Sequence, residues 1–207
     1  SVDVIFTFDA SIVAPKTVVA FETLTYKKIQ IAVHADIEDK DQTVYIPTIR
    51  TSAKDNVTGI NHTEADKEVT ITDTVTYKGL EVGREYTVSG TLMDQRTGAK
   101  ILVNGKPVTA STTFTAEEKE GSVEVVFTFD ATALEGTTTV VFETLYTENK
   151  EVAAHTDIND KGQTIYIPKI RTTAISDDTN DHVTKADEKI TLIDTVAFTS
   201  LEVGREY

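Results

Sequence analysis

Val69-Thr-Ile-Thr-Asp-Thr-Val-Thr-Tyr77 alternates apolar and polar residues with one interruption, Asp73. A period of two places Val69, Ile71, Val75 and Tyr77 on one face of an extended strand, and it places Asp73 on the same face. Farther along, Ile190-Thr-Leu-Ile-Asp-Thr-Val-Ala-Phe198 repeats the pattern, with Asp194 in the place of Asp73. Similar runs rich in Val, Ile, Thr, Tyr and Phe occur at Val123 to Phe129, Thr137 to Tyr146 and Gln163 to Ile167, and no segment sustains a helical period. Asn104-Gly105, between Ile101-Leu-Val103 and Lys106-Pro-Val108, predicts a two-residue hairpin turn with both central residues at positive φ. Many short strands separated by turn signals predict an all-β fold of tandem immunoglobulin-like β-sandwich domains.

Shifting the sequence against itself by 121 residues aligns Ser1–Tyr86 with Ser122–Tyr207 without a gap, and 44 of the 86 positions are identical. The shared blocks include FTFDA, FETL, QT-YIP-IRT and LEVGREY. A period this long is a whole domain rather than a solenoid unit. Pro47 and Pro168 each follow a strand and precede the next apolar run, which puts the boundaries beside them. The expected division is the C-terminal part of one repeat (1–48), a complete repeat (49–169) and the N-terminal part of the next (170–207). A joint this short and Pro-stiffened suits an elongated rod.

The formal charge of −14 argues against a nucleic-acid partner, which would demand clustered Lys and Arg. No apolar run is long enough for a membrane span, and no secretory signal lies in this segment. With no cysteine, disulfides, thiol catalysis and Cys-ligated zinc are all excluded, so a domain outside a cell would need a staple other than sulfur.

Five polar residues of the complete repeat lie on apolar faces. Asp73 interrupts the stripe quoted above; Thr51 lies between Ile49 and Ala53; Glu143 lies between Val141 and Leu145; His155 follows Ala153; and Gln163 leads Ile165 and Ile167. The partial repeats carry Glu22, His34 and Gln42 at one end and Thr172 and Asp194 at the other. Both aspartates, Asp73 and Asp194, are expected to be buried. An inward Thr or His is ordinarily just packed and hydrogen-bonded. A buried carboxylate is harder to dismiss, because it must stay neutral or find a partner, and Asp73 and Glu143 could share one proton.

One chemistry that such a set would support is a condensation of two side chains. A Thr hydroxyl is a nucleophile when its proton is taken, and a Gln carboxamide is an electrophile when its carbonyl is polarised; the products are an ester and ammonia. In this scheme Thr51 attacks Gln163, His155 moves the proton, and the protonated Asp73–Glu143 pair stabilises the oxyanion. A folded, water-poor site supplies effective molarities of about 10⁵ to 10⁸ M.

Val19-Ala-Phe-Glu22 and Val140-Val-Phe-Glu143, Ile49-Arg-Thr51-Ser-Ala53 and Ile170-Arg-Thr172-Thr-Ala174, and Leu80 to Asp94 resemble the motifs of the VaFE-repeat, or T-Q ester-bond, immunoglobulin-like domains. Those domains build the stalks of wall-anchored adhesins of Gram-positive bacteria. The His-to-Gln spacing of eight, at His34–Gln42 and His155–Gln163, also fits. The resemblance implies an ester cross-link between Thr51 and Gln163, promoted by Asp73, Glu143 and His155. It implies a structural role without turnover catalysis, no cofactor and no metal. It places the chain on the outside of the cell, with neighbouring repeats as its partners and any host receptor bound by a domain beyond this segment. Neither partial repeat holds a full set.

Two other readings stand beside it: a stalk closed by Lys–Asn isopeptide bonds, and a host-ligand-binding module. Asp157-Ile-Asn-Asp-Lys-Gly162 and Asp36-Ile-Glu-Asp-Lys-Asp41 also raise calcium, but Lys161 stands where a loop ligand is wanted, so an acidic turn is expected there.

Overall fold

The computed structural model describes residues 1–207. Strands β1 (Thr17–Val19), β2 (Glu22–Tyr26), β3 (Ile29–His34) and β4 (Thr43–Tyr45) form two small antiparallel pairs, β1–β4 and β2–β3. The complete repeat follows with β5 (Thr48–Asp55), β6 (Val69–Lys78), β7 (Glu85–Asp94), β8 (Leu102–Val103), β9 (Lys106–Pro107) and β10 (Thr109–Thr115). It continues through β11 (Glu120–Phe129), β12 (Thr137–Thr147), β13 (Lys150–His155) and β14 (Thr164–Ile167). A last hairpin joins β15 (Lys169–Ser176) to β16 (Leu192–Thr199).

The complete repeat is a sandwich of immunoglobulin type. One sheet has the order β11-β6-β5. The other runs β10-β7-β12, and β12 is long enough to pair with β14 through its first half and with β13 through its second. All strand pairings of the two sheets are antiparallel, as expected for sheets with one wet face and one dry face. Alternate residues of β6, from Val69 through Asp73 to Tyr77, are buried, which is the face that the period-two stripe marks. Ile71 pairs with Phe127 across β6–β11, and Val88, Leu92, Val141, Leu145, Ile165 and Ile167 face them from the second sheet. Each such side chain is worth about 1.5–3 kcal/mol when taken fully out of water.

All residues of this core lie between Ile49 and Ile167, so the flanking segments bury no comparable interior. That corrects one expectation. β15–β16 repeats the register of β5–β6, with Ala174 opposite Asp194 as Ala53 is opposite Asp73. Yet Asp194 is exposed, because no second sheet packs on this hairpin within the chain. Asn104 and Gly105 do adopt φ of 52° and 76°, closing β8–β9. Lys27–Lys28 and Glu148–Asn149 make equivalent positive-φ turns with no glycine at all.

Gly90 is where the two sheets leave room for polar groups. It lies on β7 directly opposite Glu143 of β12, and a Cβ there would overlap the Phe127 ring and stand 3.2 Å from Glu143 Oε1. Overpacking of this kind costs about 1–3 kcal/mol. Gly90→Ala, made together with Thr51→Ala so that no cross-link masks the effect, is therefore expected to lower unfolding stability by that amount in a denaturant titration.

Candidate functional site

β6 delivers Asp73 and β12 delivers Glu143 into the interior, and neither has any exposure to solvent. Burial pushes the Glu143 carboxyl up to about 11, with its hydrogen bond to Asp73 and that group's charge adding to the effect, while the Thr51 hydroxyl opposes it. Burial also raises Asp73; hydrogen bonds from Glu143, Gln163 and the Ser52 backbone, and the charge of His155, pull the other way. Two carboxyls this close and this dry hold one proton between them at neutral pH.

The remaining members arrive from opposite ends of the repeat. Gln163, fully buried just before β14, donates from Nε2 to Glu143 Oε2 at 3.0 Å and to Asp73 Oδ2 at 3.3 Å. Thr51, on β5, donates from Oγ1 to the same Glu143 Oε2 at 3.4 Å. The backbone holds them in place: Ala53 N–H donates to Gly162 O at 2.9 Å, and Val141 N–H to Gln163 O at 3.1 Å. Hydroxyl and carboxamide thus converge on one oxygen of a buried acid. The side-chain hydrogen-bond donors to the acid pair are Thr51 and Gln163, with no lysine among them. Asp73 Oδ1, Glu143 Oε1 and Gln163 Oε1 are buried without a further partner. The third, the Gln163 carbonyl oxygen, has no donor in this orientation of the amide, unlike the oxyanion arrangement expected for it.

His155 stands opposite Glu143 in the β12–β13 register. No hydrogen bond joins it to Thr51 or Gln163; its Nε2 lies 2.7 Å from Asp160 Oδ2, and Asp160 Oδ1 accepts Gly162 N–H at 2.7 Å. Asp160 thus orients the histidine and shapes the turn before Gln163, a role not recognised in the sequence. The available signal was the repeat itself, because His34 Nε2 lies 2.9 Å from Asp39 Oδ2 at the same spacing. The carboxylates of the acidic turn are occupied locally, Asp157 Oδ1 accepting Asn159 N–H at 2.9 Å.

The partial repeats echo the site in halves. Glu22 pairs across from His34, and Gln42, with its carboxamide turned, donates to Glu22 Oε2 at 2.8 Å. Thr172 lies opposite Val196, just as Thr51 lies opposite Val75. No strand pairing or hydrogen bond brings the two halves together.

The shared proton gives the fold a pH signature. An unfolded Glu loses its proton above about pH 4.3, whereas the folded acid pair keeps it to high pH, so the folded state binds the extra proton and stability falls as pH rises. In a Thr51→Ala variant, denaturant titrations between pH 5.5 and pH 8 should show a decline approaching about 1.4 kcal/mol per pH unit. Adding Glu143→Gln should flatten that slope.

Among solved structures, the chain is similar to a bacterial adhesin from Mobiluncus mulieris containing intramolecular disulfide, isopeptide and ester bond cross-links, at 15% identity over 75% of this chain and 74% of that one, with a TM-score of 0.49. It is also similar to a putative beta-galactosidase from Bacteroides fragilis, at 12% identity over 62% of this chain and 19% of that one, with a TM-score of 0.42. Likeness at these TM-scores carries no weight in assigning the chain. No curated protein matches it. The model of one family, the T-Q ester bond containing domain, matches residues 1–46, 47–167 and 168–207, which is the whole sequence in three consecutive pieces. The chain belongs to the family of T-Q ester bond containing domains.

Proposed function

We propose that this chain is a run of structural stalk repeats from a bacterial cell-surface adhesin, divided at 1–48, 49–169 and 170–207, and that its complete repeat is closed by an ester between Thr51 and Gln163. The observation that carries this reading is the convergence of Thr51 Oγ1 and Gln163 Nε2 on Glu143 Oε2, at 3.4 and 3.0 Å. One oxygen so placed accepts the proton of the nucleophile and stands beside the nitrogen that must leave.

The reaction balances as follows. Thr51 Oγ1 adds to Gln163 Cδ and its proton passes to Glu143 Oε2. The acid pair returns a proton to Nε2, the C–N bond breaks, and ammonia departs, leaving a C–O ester bond. His155, held by Asp160, sets the local field that favours negative charge on Asp73. Because the reactants are side chains of the same domain, the event occurs once and the site is consumed; the chemistry is self-modification, without a turnover substrate.

The product suits a load-bearing part. Thr51 lies on the first strand of the repeat and Gln163 immediately before the last. An ester between them encloses about 110 residues, and chain-entropy arguments assign such a loop about 4–5 kcal/mol. More consequential is the load path: tension entering β5 leaves through Gln163 without crossing the interior. The resemblance to wall-anchored adhesins of Gram-positive bacteria supports an address on the cell wall, with neighbouring repeats as partners and receptor binding left to another domain.

Intact-mass spectrometry of the denatured chain tests the bond. The expected deficit is about 17 Da, one ammonia, and it should vanish in Thr51→Ala and in Gln163→Ala. His155→Ala and Asp160→Ala should slow its appearance in freshly folded protein, since they affect the field rather than the bonded atoms. Full unmodified mass in the parent chain would sink the proposal. In single-molecule stretching, the parent repeat should show no unfolding step, whereas Thr51→Ala should release about 35–40 nm of contour, the extended length of the enclosed residues.

A further inference from the structure

We infer that the Leu201–Tyr207 elbow is a docking site for the Asn61–His62 loop of the preceding repeat, closing a ring of hydrogen bonds that fixes the angle between the complete repeat and the one that follows it and that acid opens. This deepens the stalk reading and rests on it.

The ring can be followed atom by atom. Arg205 Nη1 donates to Glu202 Oε2 at 3.2 Å and to Asn61 Oδ1 at 3.3 Å. His62 Nδ1 lies 3.0 Å from that same Asn61 oxygen, and His62 Nε2 lies 2.7 Å from the Tyr207 hydroxyl. The Tyr207 oxygen accepts the backbone N–H of Glu202 at 2.7 Å, which returns the path to its start. Every contact between the two repeats in this ring falls on Asn61 or His62 from one side and on Arg205 or Tyr207 from the other.

Both halves are built in advance. The elbow recurs in the complete repeat as Leu80–Tyr86, where Glu81 N–H donates to the Tyr86 hydroxyl at 3.0 Å and Arg84 pairs with Glu81 at 2.7 Å. Gly83 and Gly204, at φ of 85° and 88°, make the same bend. Opposite it, Asp55 accepts the N–H groups of Val57 and Thr58 and the hydroxyl of Thr63, while Thr58 Oγ1 donates to His62 O at 2.6 Å. The His62 ring stacks on Tyr166 at 4.9 Å, and the residue is only 8% exposed. Two preformed surfaces lose little entropy on meeting.

The docking pose itself recurs. Gly79 packs against the carbonyl of Pro15, where a Cβ would come within 2.8 Å; 121 residues later, Ser200 Oγ donates to the carbonyl of Gly136, the counterpart of Pro15. The same two points meet at both joints.

Sensitivity to acid follows from the roles of the atoms. Asn61 Oδ1 can only accept, so His62 Nδ1 carries a proton. The Tyr207 oxygen already accepts from Glu202, so its own proton goes to an unprotonated Nε2. Adding a proton at Nε2 sets donor against donor, beside the Arg205 guanidinium. Burial first, and then Arg205, hold His62 below its ordinary value, with Glu202 opposing. The other groups around it are the uncharged Tyr166 and Tyr207 rings, with Glu64 and Glu135 in the walls of the same groove. An undocked His takes up its proton near pH 6.5 and a docked one resists, so docking is strongest above about pH 6.5 and weakens as pH falls.

The test uses the whole 207-residue chain, spin-labelled at Ser111→Cys and Thr195→Cys, two exposed sites on the complete repeat and the following hairpin. Distances between the labels should be narrowly distributed at pH 7.5 and broad at pH 5. His62→Ala should be broad at both, and so should Tyr207→Phe, which removes one hydroxyl without touching the complete repeat. An unchanged distribution in Tyr207→Phe at pH 7.5, or in the parent chain between the two pH values, would overturn the inference. The ammonia deficit is read on the same samples, so failure of the ester is told apart from failure of the joint.

Discussion

A carboxyl group cut off from water must keep its proton or be paired with a cation, and in this repeat two carboxyls are cut off together with no cation bonded to them. Asp73 and Glu143 resolve the conflict by sharing a proton, and much of the surrounding structure serves that arrangement. Gly90 gives up a side chain so that Phe127 and the Glu143 carboxyl fit between the sheets. Gln163 spends both of its amide hydrogen bonds on the pair. Thr51 points its hydroxyl at the same Glu143 oxygen that Gln163 reaches. Such a cluster weakens a core if judged on burial alone. It makes sense as a reactant state, in which the cost of buried acids is offset once a covalent bond forms beside them.

The position of the cluster matters as much as its chemistry. In a sandwich, the first and last strands are far apart in sequence but lie close where the two sheets meet, and here the Ala53–Gly162 hydrogen bond holds them side by side. A cross-link at that point takes the load out of the whole repeat. In the proposed array, only the short run from Gln163 to Thr172, through Pro168, lies between the ester of the complete repeat and the equivalent threonine of the next. The elbow and the Asn61–His62 loop meet beside Tyr166, within that run, so the joint is built on the part of the chain that the proposed ester would not protect.

Much of this was legible in sequence because strands encode burial locally. The stripe Val69, Ile71, Asp73, Val75, Tyr77 is enough to turn Asp73 inward, and Val141–Leu145 does the same for Glu143. Asn104-Gly105 names its turn through backbone preference alone, whereas Lys27–Lys28 and Glu148–Asn149 reach positive φ only because their hairpins require it. Information carried by pairing was not legible. Gly90 is remarkable to no local rule, and its meaning depends on standing opposite Glu143 on another strand. Asp160 looks like an ordinary turn residue until His155 is found beside it. Asp194 was placed inside because periodicity tells which face is apolar without telling whether a second sheet covers it.

The central claim is a covalent bond between two named atoms, and tandem mass spectrometry of a proteolytic digest reads it directly. The account predicts a branched species in which the peptide containing Thr51 is joined to the peptide containing Gln163, less one ammonia, and which hydroxylamine cleaves into its two parts. Recovery of the Gln163 peptide as a linear species with its carboxamide intact would contradict it.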